Sequence, residues 1–386
     1  MSCLNRRGPD LVSSCEFSLE EIPYTAYCSA PSHQGCISFT QPVQFADFVL
    51  LWDGTIYDKE EPRAGVKILV QRLGCCVDST DAILDTFSRL NGSFAFVLVH
   101  KTSKRVFFGR DRFGRRSLVC NSSLSSLSSI SGSSDDNYFE VPASGIYTAH
   151  ASKCGGFQID AWYPWSEQHA TFWREHPFHT TFDVVGVRRP LVTNALAVTN
   201  VCDPVESLLS CLGDAVSMRV RLTARSCRDC CIATAASNNE AACLHARIGV
   251  LFSGGLDSTV VAALADRYVP RDQPIDLINV AFQHLQPKAQ PSKRRGESGD
   301  GGATVYASPE TAPDRQTALS SFDELRRLSP SRHWHLVLVR LTAFPFFLIR
   351  SRFPSMGLHA ASVYGHSLIW WPVLFVRTPV WRRRFQ

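Results

Sequence analysis

A chain of 386 residues, 45% hydrophobic and 19% charged, has the length for two or three domains and a sizeable core. Its net charge of +5 is mild, and because no acidic residue follows Glu324, the basic C-terminal segment says little about nucleic-acid binding by the rest. Neither secretion nor membrane insertion is expected. Met1 to Arg7 lacks a signal peptide's apolar core, so the fourteen cysteines read as reduced cytoplasmic thiols, and the apolar stretches Ala343 to Ile349 and Leu368 to Val376 fall far short of the ~20 residues that span a bilayer.

Phe48 to Trp52 and Ile56-Tyr57 are β-forming and flank Asp53-Gly54-Thr55. A D-G pair favours hairpin geometry, so strand, turn, strand is expected there. Val66 to Leu73 has helical spacing. A second hairpin is expected from Ser93 to Val99 and Arg105 to Phe108 across Lys101 to Lys104. Antiparallel strands with a helix laid on them predict an α+β layered domain for roughly the first half. Ser122 to Ser134 reads as a flexible serine-rich insertion, and Trp162-Tyr163-Pro164-Trp165 as the close of the first domain, its rings buried where two domains meet.

Val205, Leu208, Leu209, Leu212, Val216, Val220 and Leu222 have the spacing of an amphipathic helix that packs on a sheet, with Asp203 as cap and Pro204 at the first helical position. Cys227, Cys230, Cys231, Cys243 and His245 are zinc-ligand types, but the C-x-H end lacks the usual spacing, so unpaired thiols in an insertion are expected. Pro287 to Gly302 reads as a short solvated basic loop rather than a nucleic-acid contact. Phe322 to Arg332 suggests a helix leading to a strand at Leu336 to Val339.

The sharpest signal lies between Ile248 and Ala265. Ser253-Gly254-Gly255-Leu256-Asp257-Ser258 follows one apolar run and precedes another, which predicts strand, glycine-rich turn, helix. Glycines let backbone approach a phosphate, helix-start amides and the hydroxyls of Ser253 and Ser258 donate to it, and Asp257 would hold Mg²⁺ against it. Neither a Walker A lysine nor G-x-G-x-x-G is present. The turn resembles the PP-loop of N-type ATP pyrophosphatases; a plain tight turn is the alternative.

Further landmarks carry a wider resemblance. Arg7-Gly8-Pro9-Asp10, Trp52 to Tyr57, Gly92 to Phe96 and Gly109-Arg110-Asp111 to Leu118 occur in the order of the class II glutamine amidotransferase domains of asparagine synthetases. Glu140 to Gly145, the SGGLDS turn, Ala265-Asp266-Arg267 and Pro274 to Phe282 extend the likeness over most of residues 4 to 341. The resemblance implies an enzyme that hydrolyses glutamine in its first domain. The ammonia then attacks an aspartyl adenylate made from ATP in the second, giving asparagine.

The chain departs from that scheme at both sites. The family's nucleophile is an N-terminal cysteine exposed by methionine removal; here residue 2 is Ser, Cys3 is internal, and Arg7 follows too closely for Ser2 to take that place. No arginine lies between Arg7 and Arg63 to clamp a glutamine carboxylate, the expected Asn-Gly-Glu is Asp53-Gly54-Thr55, and the ammonium-binding acid is replaced around Gly65. No catalytic residue is therefore assigned in the first domain, and glutaminase activity is expected to be lost. In the second domain the G-x-G-A-D-E segment is missing, and the likeness ends near Arg340.

The resulting expectation is an α+β amidotransferase-like (Ntn-type) layered domain at 1–165, a linker or insertion at 166–202, an incomplete α/β PP-loop domain of the adenine nucleotide alpha hydrolase-like kind at 203–341, and an atypical basic tail at 342–386. ATP and Mg²⁺ are the expected cofactors, and ATP, aspartate and glutamine or ammonia the small-molecule partners. A protein partner covering the incomplete sheet is also expected, and no membrane. The alternative is a non-catalytic descendant that acts by binding nucleotide or protein.

Overall fold

The computed structural model describes residues 11–30, 40–57, 65–76, 79–130, 137–152, 156–184, 186–192, 203–223, 245–282, 285–286, 305–306, 308–341 and 374–376. They fall in two compact units, Met1–Cys202 and Asp203–Gln386. Arg7 to Asp10, Cys227 to Cys243, Pro287 to Gly302 and nearly all of 342–386 lie outside the described residues.

The first unit is built on six antiparallel strands in the order β11-β10-β6-β5-β4-β3. These are β3 (Val43–Phe45), β4 (Phe48–Ile56), β5 (Gly92–His100), β6 (Arg105–Arg110), β10 (Gly145–Ala151) and β11 (Phe157–Pro164). Side chains alternate between faces with period two. On β5, Phe94, Phe96 and Leu98 join one apolar cluster while Ala95, Val97 and Val99 join another. Both faces are covered, which is why the whole of β5 is buried and its sequence is a continuous apolar run.

Two helices cover the first face. α1 (Val66–Gly74) contributes Leu69 and Leu73, and α2 (Thr80–Ser88) contributes Ile83, Leu84 and Phe87, the last stacked on Phe96 with ring centroids 3.8 Å apart. Ser79 caps α2 by accepting a hydrogen bond from the Ala82 amide. On the other face lies the hairpin β1 (Leu11–Leu19) and β2 (Ile22–Ala30), from which Leu19 and Ala26 enter the second cluster. A small sheet of β7 (Val119–Asn121), β8 (Leu127–Ser128) and β9 (Tyr138–Glu140), the short helix α3 (Glu167–Trp173) and α4 (Pro177–Thr181) complete this unit.

Three expectations are corrected here. Asp53-Gly54 makes no turn: β4 runs unbroken through it, paired residue by residue with β5 from Phe48↔His100 to Ile56↔Gly92. A Cβ at Gly54 would fall inside contact distance of the Ser93 carbonyl and 2.7 Å from Phe94 Cα, so close strand approach accounts for the glycine. Second, the serine-rich stretch is organised up to Ile130. Asn121 Oδ1 accepts from the amides of Ser125 and Ser126, and Leu124 is buried. Third, Trp162 and Trp165 are buried within the first unit's own two clusters, so their burial needs no second domain.

The second unit opens with α5 (Pro204–Arg221), where Asp203 Oδ1 accepts from the Val205 amide at 2.8 Å. Only part of the predicted stripe is covered: Val216 is buried and Leu212 and Val220 pack on the core, but Val205 and Leu208 are 64% and 60% exposed. The apolar spacing thus extends past the part of the helix that reaches the sheet.

Three parallel strands follow, β12 (Ile248–Leu251), β13 (Ile275–Phe282) and β16 (Trp334–Leu341), in the order β16-β13-β12. Helix α6 (Leu256–Tyr268) connects β12 to β13, and α7 (Pro313–Leu328) leads into β16. Between β13 and α7 stand the two-residue strands β14 (Leu285–Gln286) and β15 (Val305–Tyr306), paired with each other, and the 3-10 turn Pro309–Thr311. β17 (Leu374–Val376) pairs antiparallel with the free side of β12. Parallel neighbours need a crossover, and each helix supplies one while burying a stripe: Val261, Ala262 and Ala265 from α6, Ala318 and Leu325 from α7. No described helix is long and apolar enough to cross a membrane.

Candidate functional site

Ser253 to Ser258 sit where β12 passes into α6, outside the carboxyl ends of the parallel strands, the side on which open α/β sheets hold ligands. Gly254 has φ +81°, a value that favours glycine, and it turns the chain into the helix. Gly255 is the N-cap residue and offers no side chain, so α6 starts uncapped. The first-turn amides of Leu256, Asp257 and Ser258 have no intrahelical acceptor. They form the positive end of a 13-residue helix.

The two hydroxyls converge. Ser253 Oγ lies 3.4 Å from Ser258 Oγ and accepts from the Gly255 amide at 3.3 Å, while Ser258 Oγ donates to the Gly255 carbonyl at 3.0 Å. Ser258 is buried, whereas Ser253, Gly255 and Asp257 are exposed. Amides, two hydroxyls and an exposed carboxylate therefore share one turn. This arrangement can hold an anion, with Asp257 free to bind a cation beside it.

The turn is held from behind by residues that the motif did not point to. Asn279, on β13 and 1% exposed, donates from Nδ2 to the Phe252 carbonyl at 2.9 Å and to the Asp314 carbonyl at 3.3 Å. It thereby fastens the end of β12 to the first turn of α7. Ser321 Oγ on α7 donates to the Gly254 carbonyl. A polar residue inside the apolar run Ile275 to Phe282 was the one sequence signal for Asn279; Ser321 had none.

The amidotransferase landmarks serve structure wherever they are described. Arg110 is buried and donates to the carbonyls of Gly114, Arg116 and Val141 and to Glu140 Oε1. Asp111, 2% exposed, accepts from the amides of Phe94, Phe113 and Arg115 and from Arg115 Nε. Together they fold Gly109 to Leu118 onto the end of β5. Asp53 faces Arg116 at 3.7 Å from within β4, and Gly65 is the N-cap of α1. The described cysteines Cys15, Cys28, Cys75, Cys76, Cys120 and Cys211 are free of disulfides.

A glutamine amidotransferase domain model matches residues 33–134 and an asparagine synthase model matches residues 241–306. The first unit thus carries an amidotransferase-like domain and the second a synthetase-like one. The chain is similar to asparagine synthetase domain-containing proteins. It is 26% identical to one from Drosophila melanogaster over 88% of this chain and 63% of that protein, and 29% identical to asparagine synthetase domain-containing protein 1 of Bos taurus over 88% and 64%. It spans less than two thirds of the length of these relatives. A solved glutamine phosphoribosylpyrophosphate amidotransferase from B. subtilis, 15% identical over 31% of each chain with a TM-score of 0.22, is too slight a likeness to carry an argument.

Proposed function

We propose that the second unit is a PP-loop domain in which Ser253, Gly254, Gly255 and Ser258 hold the pyrophosphate part of ATP and Asp257 holds Mg²⁺, in an activity of the asparagine synthetase type. The observation that carries this is the uncapped start of α6, reached through a glycine at φ +81° and flanked by two hydroxyls, beyond the carboxyl end of a central parallel strand. The donor set fits the ion: Mg²⁺ takes oxygen ligands, commonly one or two carboxylates together with phosphates and water, and Asp257 offers an exposed carboxylate. ATP would supply the activation of an aspartate side-chain carboxyl, so that ammonia can displace the adenylate. The chain's own part is to hold the leaving pyrophosphate by amides and hydroxyls. Read as reduced thiols, the cysteines favour a cytoplasmic place of action.

In the first unit, the altered Asp53-Gly54-Thr55 is built into β4, and no arginine between Arg7 and Arg63 offers a carboxylate clamp. These observations favour an amidotransferase-like domain without glutaminase activity, and ammonia rather than glutamine as nitrogen source. They also support a second reading, a non-catalytic descendant that binds nucleotide and acts through a protein partner. The exposed Val205 and Leu208 of α5 and Leu338 of β16 would offer that partner apolar contacts.

The test is exchange of labelled pyrophosphate into ATP with purified chain, Mg²⁺, aspartate and ammonia. Exchange that Asp257→Ala abolishes supports the adenylating site. ATP binding without exchange favours the second reading, and no ATP binding by the folded chain rejects both.

A further inference from the structure

We propose that a cleft of about 540 Å³ at the far end of α7 from the Gly254 turn is a separate anion site, one that takes the phosphate or diphosphate group of a small molecule. It lies between the last turn of α7 and the start of β16. Asp323, Arg326 and Arg327 of α7 line it together with His333, Trp334 and His335. This is the amino end of β16, whereas the Gly254 turn lies beyond the carboxyl end of β12.

Charge bookkeeping separates the structural ions from the available ones. Arg332, also against the cleft, has a side chain with no exposure, and every guanidinium nitrogen is engaged: Nε on Asp266 Oδ1, Nη1 on the Pro270 and Gln273 carbonyls, Nη2 on those of Asp266 and Val269. Asp266 is answered in full by Arg332, Arg271 and the Ser329 hydroxyl. Asp276 is met by His335 Nδ1 at 3.1 Å. None of these reaches the outer residues of the cleft. Among the described residues Arg326, Arg327 and His333 have no acidic partner within ion-pair distance, and Asp323 is the carboxylate that remains to oppose them.

Arginines in the last turn of a helix have an ordinary role, since they complement the negative end of its dipole. That role explains Arg326 and Arg327 singly. It does not explain a concave surface to which a second element adds His333 and His335. Arg326 is held over the Phe322 ring, its guanidinium carbon 5.8 Å from the centroid, which leaves the N–H edge free to donate. Guanidinium groups present forked donors that match phosphate oxygens, and two beside an imidazole suit a doubly charged anion. The volume suits a small molecule.

Calorimetric titration of the full chain with inorganic pyrophosphate, at low salt and without divalent cations, tests the site. The event assigned to the cleft is expected to persist in a Ser253→Ala/Ser258→Ala variant and to weaken at least tenfold in Arg326→Ala/Arg327→Ala. Unchanged pyrophosphate binding in the arginine variant overturns the proposal, as does absence of binding in the serine variant. An event lost only in the arginine variant, with none that depends on the serines, counts against the Gly254 turn as a pyrophosphate site and leaves the cleft standing. If circular dichroism shows the arginine variant unfolded, Arg326→Lys/Arg327→Lys replaces it. That variant keeps the charge without the fork and is expected to bind at least threefold more weakly; equal affinity overturns the proposal.

Discussion

Ser321 Oγ donates to the Gly254 carbonyl at 2.7 Å, so the turn that follows β12 is fixed by the middle of α7 and not by its own chain neighbours alone. Gly254 backs directly on that helix: a Cβ there would come 2.5 Å from Ala318 Cα. Gly254→Ala therefore combines an unfavourable φ with a backbone clash and is expected to cost at least about 1–3 kcal/mol. Gly255, at φ −65°, has only Ser253 Oγ at 3.4 Å from its would-be Cβ, so Gly255→Ala is expected to leave stability within about 0.5 kcal/mol. Thermal melts of the two variants check the contrast, and equal melts would show that the contact with α7 does not constrain the turn.

Gly54→Ala is expected to destabilise the first unit by several kcal/mol. The added methyl has no rotamer with which to avoid the Ser93 carbonyl, and strands β4 and β5 would have to part in the middle of a sheet buried on both faces. A urea titration followed by tryptophan fluorescence measures it. A midpoint equal to the wild type would mean that β4 and β5 do not approach this closely.

Gly54 also shows where the sequence was legible and where it was not. The strand–turn–helix at Ser253 was readable because both flanks are apolar and adjacent, and the cap at Asp203 because its signals are local. The β5–β6 hairpin and α1 were readable for the same reason. At Asp53-Gly54 local chemistry pointed to a turn, but nine consecutive pairings with β5 override a two-residue preference, and a glycine needed for close approach looks the same in sequence as one needed for positive φ. The support behind the turn, from Asn279 and Ser321, and the cleft joining α7 to β16 depend on contacts between distant segments. No spacing rule reports those. The apolar period of α5 was visible, but which of its turns reach the sheet is decided by the sheet's extent.

Asp266 should make the second unit sensitive to acid. Burial pushes its carboxyl up, yet the Ser329 hydroxyl, the Arg332 guanidinium and the charge of Arg271 together outweigh that and hold it below the usual aspartate value. A folded-state value below the unfolded one means that its contribution is present above about pH 3.9 and is lost as pH falls through the folded value. Asp266→Asn leaves the side chain of Arg332 buried without its counter-charge, which is expected to cost about 3–5 kcal/mol at neutral pH. It should also flatten the acid limb of the stability curve. Chemical denaturation from pH 7 to pH 2.5 reads both effects, and an acid limb of unchanged slope in the variant would assign the sensitivity elsewhere.

His179 places a different pH window in the first unit. Burial lowers its pKa to about 4 and the neighbouring His176 pushes the same way, against backbone carbonyls of Arg174 and Trp173 that favour the charged form. Its Nε2 lies 2.8 Å from Tyr147 Oη, which is 2.6 Å from Ser144 Oγ, all three side chains being buried. Burial also pushes the Tyr147 phenol up, so it remains a neutral donor, and the chain of bonds runs from Ser144 through Tyr147 to an unprotonated His179. Protonating the imidazole would place a charge in this buried chain and require the Tyr147 hydroxyl to turn and accept from it instead of donating. Because the unfolded histidine, with a pKa near 6.5, binds its proton more readily than the folded one, stability is full above about pH 6.5, declines as pH falls toward 4, and levels off below. The decline is on the order of 2–3 kcal/mol. His179→Gln keeps a polar partner for Tyr147 but cannot titrate, so its denaturation midpoint should be lower at pH 7 and fall less steeply than the wild type's between pH 6.5 and 4, the remaining slope coming from His169 and His176, whose pKa values burial also lowers, while the Asp266 limb at lower pH persists. If the variant declines between pH 6.5 and 4 as steeply as the wild type, His179 is not the group that titrates there.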